Sequence, residues 1–178
     1  METWIESETL YEGKIVTLKR GRVRLENGQE AEREIVEHNG AVVIAPKLGD
    51  SVVMVRQYRV ALGKELLELP AGKLEGDEEP VHRGRVELEE ETGYRAGRML
   101  PAGHFYPSCG FLTEKLYLFL AFDLEKTEQR LEWDENIEVV EMPLSEARER
   151  LRAHTFEDAK TIIGLHALFA QIQTGTGG

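Results

Sequence analysis

Apolar and polar positions alternate along much of the first half of the chain, a pattern that predicts strands. From Lys14 to Leu25 apolar residues alternate with basic ones, and Asn27-Gly28 then supplies a hairpin turn. Glu34 to Pro46 is a second strand region, broken at Asn39-Gly40. After a Gly49-Asp50 turn, the β-branched run Ser51 to Val60 predicts a buried strand, and Leu66 to Leu69 predicts a short one that stops at Pro70. Leu116 to Phe122 is strongly apolar and aromatic and predicts a central strand. Ile137 to Met142 predicts a further short strand.

The period turns helical in three stretches. Pro80 to Thr92 opens on proline, suited to a first turn, and ends at Gly93, suited to a C-terminal cap. Ser145 to His154 follows Pro143, with Ser145 as the expected N-cap. Phe156 to Ile172 places Ile162, Ile163, Leu165, Leu168 and Phe169 on one face. Strands interleaved with non-alternating helices predict an α/β chain, a mixed sheet between helical layers in an α/β/α sandwich. The charged N-terminal hairpin fits that core poorly and is expected to pack on a partner subunit. Thr174 to Gly178 reads as a flexible tail.

Composition narrows the function by exclusion. The 178 residues suit one domain with a small appended arm. Thirty-three acids against 22 bases give a net charge of −11, which disfavours nucleic acids and anionic membranes as partners. A small phosphorylated ligand, held by a few local bases or by metal, stays open. Cys109 is the single cysteine, so no intrachain disulfide forms, in keeping with a reducing, cytoplasmic setting. The N-terminus carries no signal-like region, and no apolar run approaches the ~18 residues of a membrane span. The five histidines show no zinc-ligand spacing, and Cys109 has no suggested histidine partner for nucleophilic work.

The segment from Gly72 to Tyr94, GKLEGDEEPVHRGRVELEEETGY, carries the chemistry. Within its helix, Glu91 lies about 40° from Glu87 around the axis and Glu90 about 60° the other way. Three carboxylates on one face repel one another and crowd a C-terminus where the macrodipole disfavours anions. Divalent cations relieve both penalties, and hard oxygen ligands suit Mg²⁺ or Mn²⁺. Charge alone also permits a solvated acidic face.

The spacing of this segment resembles the Nudix box, G-x5-E-x7-R-E-U-x-E-E-x-G-U, with U apolar. Gly72, Glu78, Glu87, Leu88, Glu90, Glu91, Gly93 and Tyr94 fall in place, and Val86 stands where the box has arginine. The resemblance implies a loop-helix-loop inside a Nudix-type α/β/α sandwich, and metal-dependent attack of water on a diphosphate linked to another moiety. Arg83, one turn before Glu87, is a weak stand-in for the missing arginine.

Beyond the box, the chain looks most like bacterial ADP-ribose pyrophosphatases from about Lys14 to Leu168. The resemblance rests on Arg33-Glu34-Ile35-Val36, Val55-Arg56-Gln57-Tyr58-Arg59, Glu68-Leu69-Pro70-Ala71-Gly72, Gly110-Phe111-Leu112-Thr113-Glu114-Lys115 and Asp158-Ala159-Lys160-Thr161. It implies an N-terminal β arm over residues 1–38 that dimerises the chain, a hydrolase domain over 39–173 and a tail over 174–178. It implies that Arg33, supplied across a homodimer, and Arg59 contact the nucleotide or its phosphates. Glu68 is implied as a support for the metal-bound water or the metals. The carbonyl of Ala71 joins Glu87, Glu90 and Glu91 around Mg²⁺, with Mn²⁺ as a substitute. Glu90 and a late-loop acid are the implied catalytic pair. Glu135 fits that loop position best, with Glu132 and Asp134 as alternates.

The implied reaction is hydrolysis of ADP-ribose to AMP and ribose 5-phosphate. Two other readings stay open. Cys109 replaces the proline of the family's Ser-Pro-Gly-Phe, so another nucleoside diphosphate sugar such as GDP-mannose is the first. A catalytically impaired nucleotide-sugar binding protein, suggested by Val86, is the second. Phe105, Tyr106 and Phe111 are candidates to line a base or ribose pocket, although core packing is the commoner fate of such aromatics.

Overall fold

The computed structural model describes residues 1–175. They fall into two units: residues 1–40 with 106–115, and residues 41–105 with the chain from Leu116 onward. The first unit therefore includes a stretch outside the expected 1–38 arm. Residues 176–178 of the expected tail lie outside the described residues.

The first unit is an antiparallel sheet in the order β1 (Thr3–Glu12), β2 (Thr17–Arg24), β3 (Glu30–Glu37). The β2–β3 hairpin turns at Asn27-Gly28 as its sequence predicts, with Gly28 N–H donating to the Leu25 carbonyl at 2.9 Å. β2 begins at Thr17 rather than Lys14, because the preceding turn closes through Gly13 N–H and the Val16 carbonyl at 3.0 Å. β1 has no counterpart in the expected elements. All ten of its residues are exposed, and charges such as Glu8–Arg20 at 2.7 Å and Glu6–Arg22 at 2.8 Å tie it to β2. Residues 106–115 lie beside β3, with Val36 N–H donating to the Phe111 carbonyl at 2.8 Å. Among the described residues, Val23 is the one buried apolar side chain of this unit.

The second unit holds β4 (Ala41–Leu48), β5 (Ser51–Arg59), β6 (Lys64–Glu68), β7 (Ala71–Lys73), α1 (Pro80–Thr92), β8 (Tyr94–Phe105), β9 (Leu116–Lys126), β10 (Ile137–Pro143), α2 (Leu144–Arg152) and α3 (Ala159–Gln173). Its sheet runs β10-β5-β4-β9-β8, with β6 on β5 and β7 on β4. β4 and β9 are parallel and the other pairings antiparallel, so the sheet is mixed. Period-2 alternation in the two parallel strands divides the core into two layers. Val42, Ile44, Phe119 and Ala121 pack with Leu88 of α1. Val43, Ala45, Leu118 and Leu120 pack with Ala147 and Leu151 of α2 and Leu165, Leu168 and Phe169 of α3. The result is the expected α/β/α sandwich, with the Leu116–Phe122 strand in its interior.

Three local expectations need correction. α2 starts at Leu144 straight after Pro143, so Ser145 lies inside the first turn and makes no cap. α3 starts at Ala159, and its cap is Asp158, whose carboxylate accepts from Thr161 N–H. Phe156 precedes that helix and is buried in the core. Ile163 is exposed, and Thr161 and Gly164 take the buried face with Leu165, Leu168 and Phe169.

Candidate active site

α1 spans Pro80 to Thr92, as its proline start and glycine stop require, and Leu88 anchors it, fully buried, on the sheet. Burying such a leucine contributes about 1.5–3 kcal/mol and fixes the rotation of the helix. That rotation turns Glu87 and Glu91 inward, where they are 6% and 5% exposed, while Glu90 is half-buried. The loop before α1 is set by Glu78, whose carboxylate accepts from Glu75 N–H at 2.9 Å. Gly72 passes so close to Glu87 that a Cβ there would lie 1.7 Å from Glu87 Oε1, so no larger residue fits without displacing the acid. Next to it, Ala71 N–H donates to Glu91 Oε2 at 3.1 Å, which binds β7 to the end of α1.

The electrostatics of the pair follow from burial. Burial, then the charge of Glu87, then that of Glu135, push the Glu91 carboxyl up to about 8 against the Ala71 hydrogen bond. Burial also raises Glu87, although Arg83 opposes it from one turn earlier through a tight ion pair. Arg83 Nε is buried without a hydrogen-bond partner and stands 3.9 Å from Glu78 Oε1. Arg85 points elsewhere, donating from Nη1 to the Ala96 carbonyl at 2.7 Å. Arg83, not Arg85, therefore serves the acids where Val86 breaks the box.

Glu135 reaches this neighbourhood because the loop before it is fastened to the C-terminus of α1. Helix ends leave carbonyls unpaired. Here Thr127 N–H donates to the Gly93 carbonyl at 2.8 Å, Gln129 Nε2 to that of Glu91 at 2.7 Å, and Arg130 N–H to that of Glu90 at 2.9 Å. Gly93 permits this approach, with φ +67 and the Gln129 nitrogen 2.8 Å from where a Cβ would sit. Gln129 escaped the sequence reading, because a glutamine that caps a helix 38 positions away leaves no local pattern. Glu135 Oε2 accepts from Glu132 N–H at 3.0 Å within its own turn.

The remaining candidates are distributed as follows. Arg59 at the end of β5 grips Glu68 on β6 with two hydrogen bonds, Nε to Oε1 at 2.7 Å and Nη2 to Oε2 at 2.8 Å. Glu68 is 1% exposed, with both oxygens held by cations of the chain, so any part it has in binding runs through them. Burial raises its carboxyl, but Arg59 and Lys160 outweigh that and hold it below the usual range. Arg33 lies on β3 in the first unit, gripping Glu2 at 3.0 and 2.5 Å. Arg56 pairs across strands with Glu138 at 3.6 Å, and Tyr106, Phe111 and Cys109 are exposed while Phe105 packs on the core.

Among the described residues, no three His, Cys, Asp or Glu side chains already converge as a metal cage, and Glu87 is held by Arg83. The donor set nevertheless fits a hard divalent cation. Glu87 and Glu91 are buried one turn apart with Arg83 paired to Glu87 alone, and burial with the charge of Glu87 pushes the Glu91 carboxyl up to about 8. A cation bound there would favour the ionised acid and reverse that shift.

A layered sandwich with an acidic helix packed on its mixed sheet defines the class of protein. A family model described as NUDIX domain matches residues 37–163, and the chain belongs to that family, whose hydrolases depend on divalent metal. An "ADP-ribose pyrophosphatase" of Bacillus subtilis (strain 168) is 40% identical over 170 residues, 94% of this chain and 92% of that protein. A "Methanol dehydrogenase activator" of Bacillus methanolicus is 41% identical over 173 residues, 96% and 94%. A "GDP-mannose pyrophosphatase" of Cronobacter sakazakii (strain ATCC BAA-894) is 39% identical over 148 residues, 76% of each. A solved structure of an "ADP compounds hydrolase" superposes with a TM-score of 0.87 over 99% of this chain and 96% of that one. At 22% identity that likeness speaks to the fold alone.

Proposed function

We propose that the protein is a Mg²⁺-dependent pyrophosphohydrolase that cleaves ADP-ribose to AMP and ribose 5-phosphate, works in the cytoplasm as a homodimer, and accepts Mn²⁺ in place of Mg²⁺. The observation that carries the reading is the buried, undercompensated pair Glu87 and Glu91, closed in by the Ala71-Gly72 backbone and within the field of Glu135. The 40% identical ADP-ribose pyrophosphatase supports the substrate.

In this reading Glu87, Glu90, Glu91 and the Ala71 carbonyl hold the metal. The metal, when bound, polarises the diphosphate and lowers the pKa of water. Glu135 accepts the proton of the attacking water while one P–O bond of the diphosphate bridge breaks, and each product leaves as a phosphate monoester. Arg59 offers the diphosphate the guanidinium N–H groups that its grip on Glu68 leaves unused, the local positive charge that a chain at −11 must supply to bind an anion. Arg33 adds a second cation across the dimer. The test is a panel of nucleoside diphosphate sugars with Mg²⁺ and detection of phosphate monoesters. The reading expects ADP-ribose to give the highest kcat/KM, and no turnover of any member would overturn it.

A second reading keeps the chemistry and changes the sugar. Cys109 and the 39% identical GDP-mannose pyrophosphatase favour it. Preference for GDP-mannose in the same panel would establish it.

A further inference from the structure

Lys160 shares the carboxylate of the Arg59–Glu68 fork. Glu68 pairs with Val55 in the β5–β6 register, and Arg59 lies four positions further along the same face of β5. The Arg59 side chain therefore lies back along the sheet to reach the carboxylate, and Glu68 fixes its direction. Glu68 Oε2 also accepts from Lys160 Nζ, whose ammonium stands 3.1 Å from Asp158 Oδ2. Asp158 caps α3, accepting from Thr161 N–H at 3.0 Å and from Thr161 Oγ1–H at 2.6 Å. Thr161 Oγ1 in turn accepts from Leu69 N–H at 2.8 Å, one residue beyond Glu68. The start of α3 and the end of β6 are thus locked together around one buried carboxylate.

Exposure rises outward from the shared carboxylate of Glu68, steeply toward Arg59 and only slightly toward Lys160. The side chain of Arg59 is 40% exposed, that of Lys160 14% and that of Glu68 1%. Arg59 is the end that faces outward, and its partner Glu68 stands three residues before Ala71, whose N–H donates to Glu91 Oε2 at 3.1 Å, so the fork lies beside the strand that borders the acidic pair. The fork uses Nε and Nη2, and Nη1 carries two N–H groups that the fork does not use. A carboxylate serving Arg59 alone would neutralise the guanidinium and be free to follow it. Shared with Lys160, it holds still and gives Arg59 only part of its charge.

We propose that Lys160 is a positioning residue for substrate binding: through the shared carboxylate of Glu68 it aims the Arg59 guanidinium at the diphosphate. The proposal rests on the reading of Arg59 as a diphosphate ligand. A lysine that merely fastens α3 to β6 would affect stability alone. A lysine that aims Arg59 must affect KM, because an ion pair made alike in ground and transition states is uniform binding.

The test is steady-state kinetics with ADP-ribose and Mg²⁺ on the full chain, alongside thermal melts. Lys160→Met should raise KM about tenfold with kcat within about twofold, and Lys160→Arg, which keeps the cation, should recover most of that loss. Arg59→Ala should raise KM further, and adding Lys160→Met to it should raise KM no more, since Lys160 acts through Arg59. The double variant leaves Glu68 buried and unpaired, so the comparison is repeated in an Arg59→Ala/Glu68→Gln background, where Lys160→Met should again leave KM unchanged. A lower melting temperature with unaltered KM in Lys160→Met overturns the proposal, as do effects that multiply in either background. Wild-type protein inactive on every nucleotide sugar would overturn the functional reading, and this inference with it. Wild-type turnover with multiplying effects overturns the inference alone.

Discussion

At the scale of single residues, one carboxylate is held down and another pushed up, and the contrast shows how context decides. Glu68 is the more buried of the pair, yet two cations keep it ionised. Glu91 lacks such a partner, and burial with the neighbouring charge of Glu87 pushes it up to about 8. The acidic cluster was legible from spacing, because a helix repeats a face every three or four residues. The cations on Glu68 were not legible. Lys160 stands 92 positions from it, and only the tertiary fold joins them. A pH dependence follows from Glu68. Its folded value lies below the ordinary 4.5, so the stability it contributes is present above 4.5 and is lost as pH falls below that toward the depressed value. Urea melts of wild type and Glu68→Gln at falling pH should show wild type losing more stability below 4.5. Parallel losses would mean that the fork does not hold the acid ionised.

At the scale of elements, α1 shows what a strong pattern can specify. Proline start, glycine stop and a buried Leu88 make its bounds readable, and the helix covers Pro80–Thr92 as expected. β1 and β8 escaped for different reasons. β1 buries nothing and owes its strand geometry to pairing with β2, so no hydrophobic pattern marks it. β8 carries Gly97, Pro101 and Gly103, which read as breakers, and its register with β9 slips between Pro101 and His104. β7 is a three-residue strand, too short to carry a period. α1 also shows how a departure from a motif is met locally. Val86 cannot carry the box arginine's charge, and Arg83 pairs with Glu87 from the preceding turn. Arg83→Ala should lower turnover several-fold, and Val86→Arg in that background should recover part of it. Arg85→Ala should leave kinetics alone and cost about 1 kcal/mol of stability through its lost bond to the Ala96 carbonyl. Kinetics and melts on the three variants check this, and unchanged turnover in Arg83→Ala would show that the acids need no arginine.

At the scale of the whole molecule, the two units differ in what holds them. Residues 41–105 and those from Leu116 onward enclose two apolar layers. The first unit rests on strand pairing and exposed ion pairs, each worth about 0–1 kcal/mol, with Val23 as its buried apolar residue among those described. Trp4, Tyr11 and Ile15 stay more than half exposed on it. A sheet so poor in core is expected to gain one from a second copy of the chain, which is the ground for the homodimer. Sedimentation at micromolar concentration should find a dimer, and a fully active monomer would refute it. No helix among the described residues is long and apolar enough to cross a membrane.

Diphosphate cleavage is expected to depend on metal held by the buried acids Glu91 and Glu87. The most direct measurement compares wild type with Glu91→Gln for release of AMP and ribose 5-phosphate from ADP-ribose at saturating Mg²⁺, with a melt of each metal-free protein. Turnover is expected in wild type alone. Glu91→Gln should melt at an equal or higher temperature, because it buries an amide where the wild type must bury an acid beside another acid. Wild-type-like turnover by a folded Glu91→Gln protein would contradict that dependence on metal.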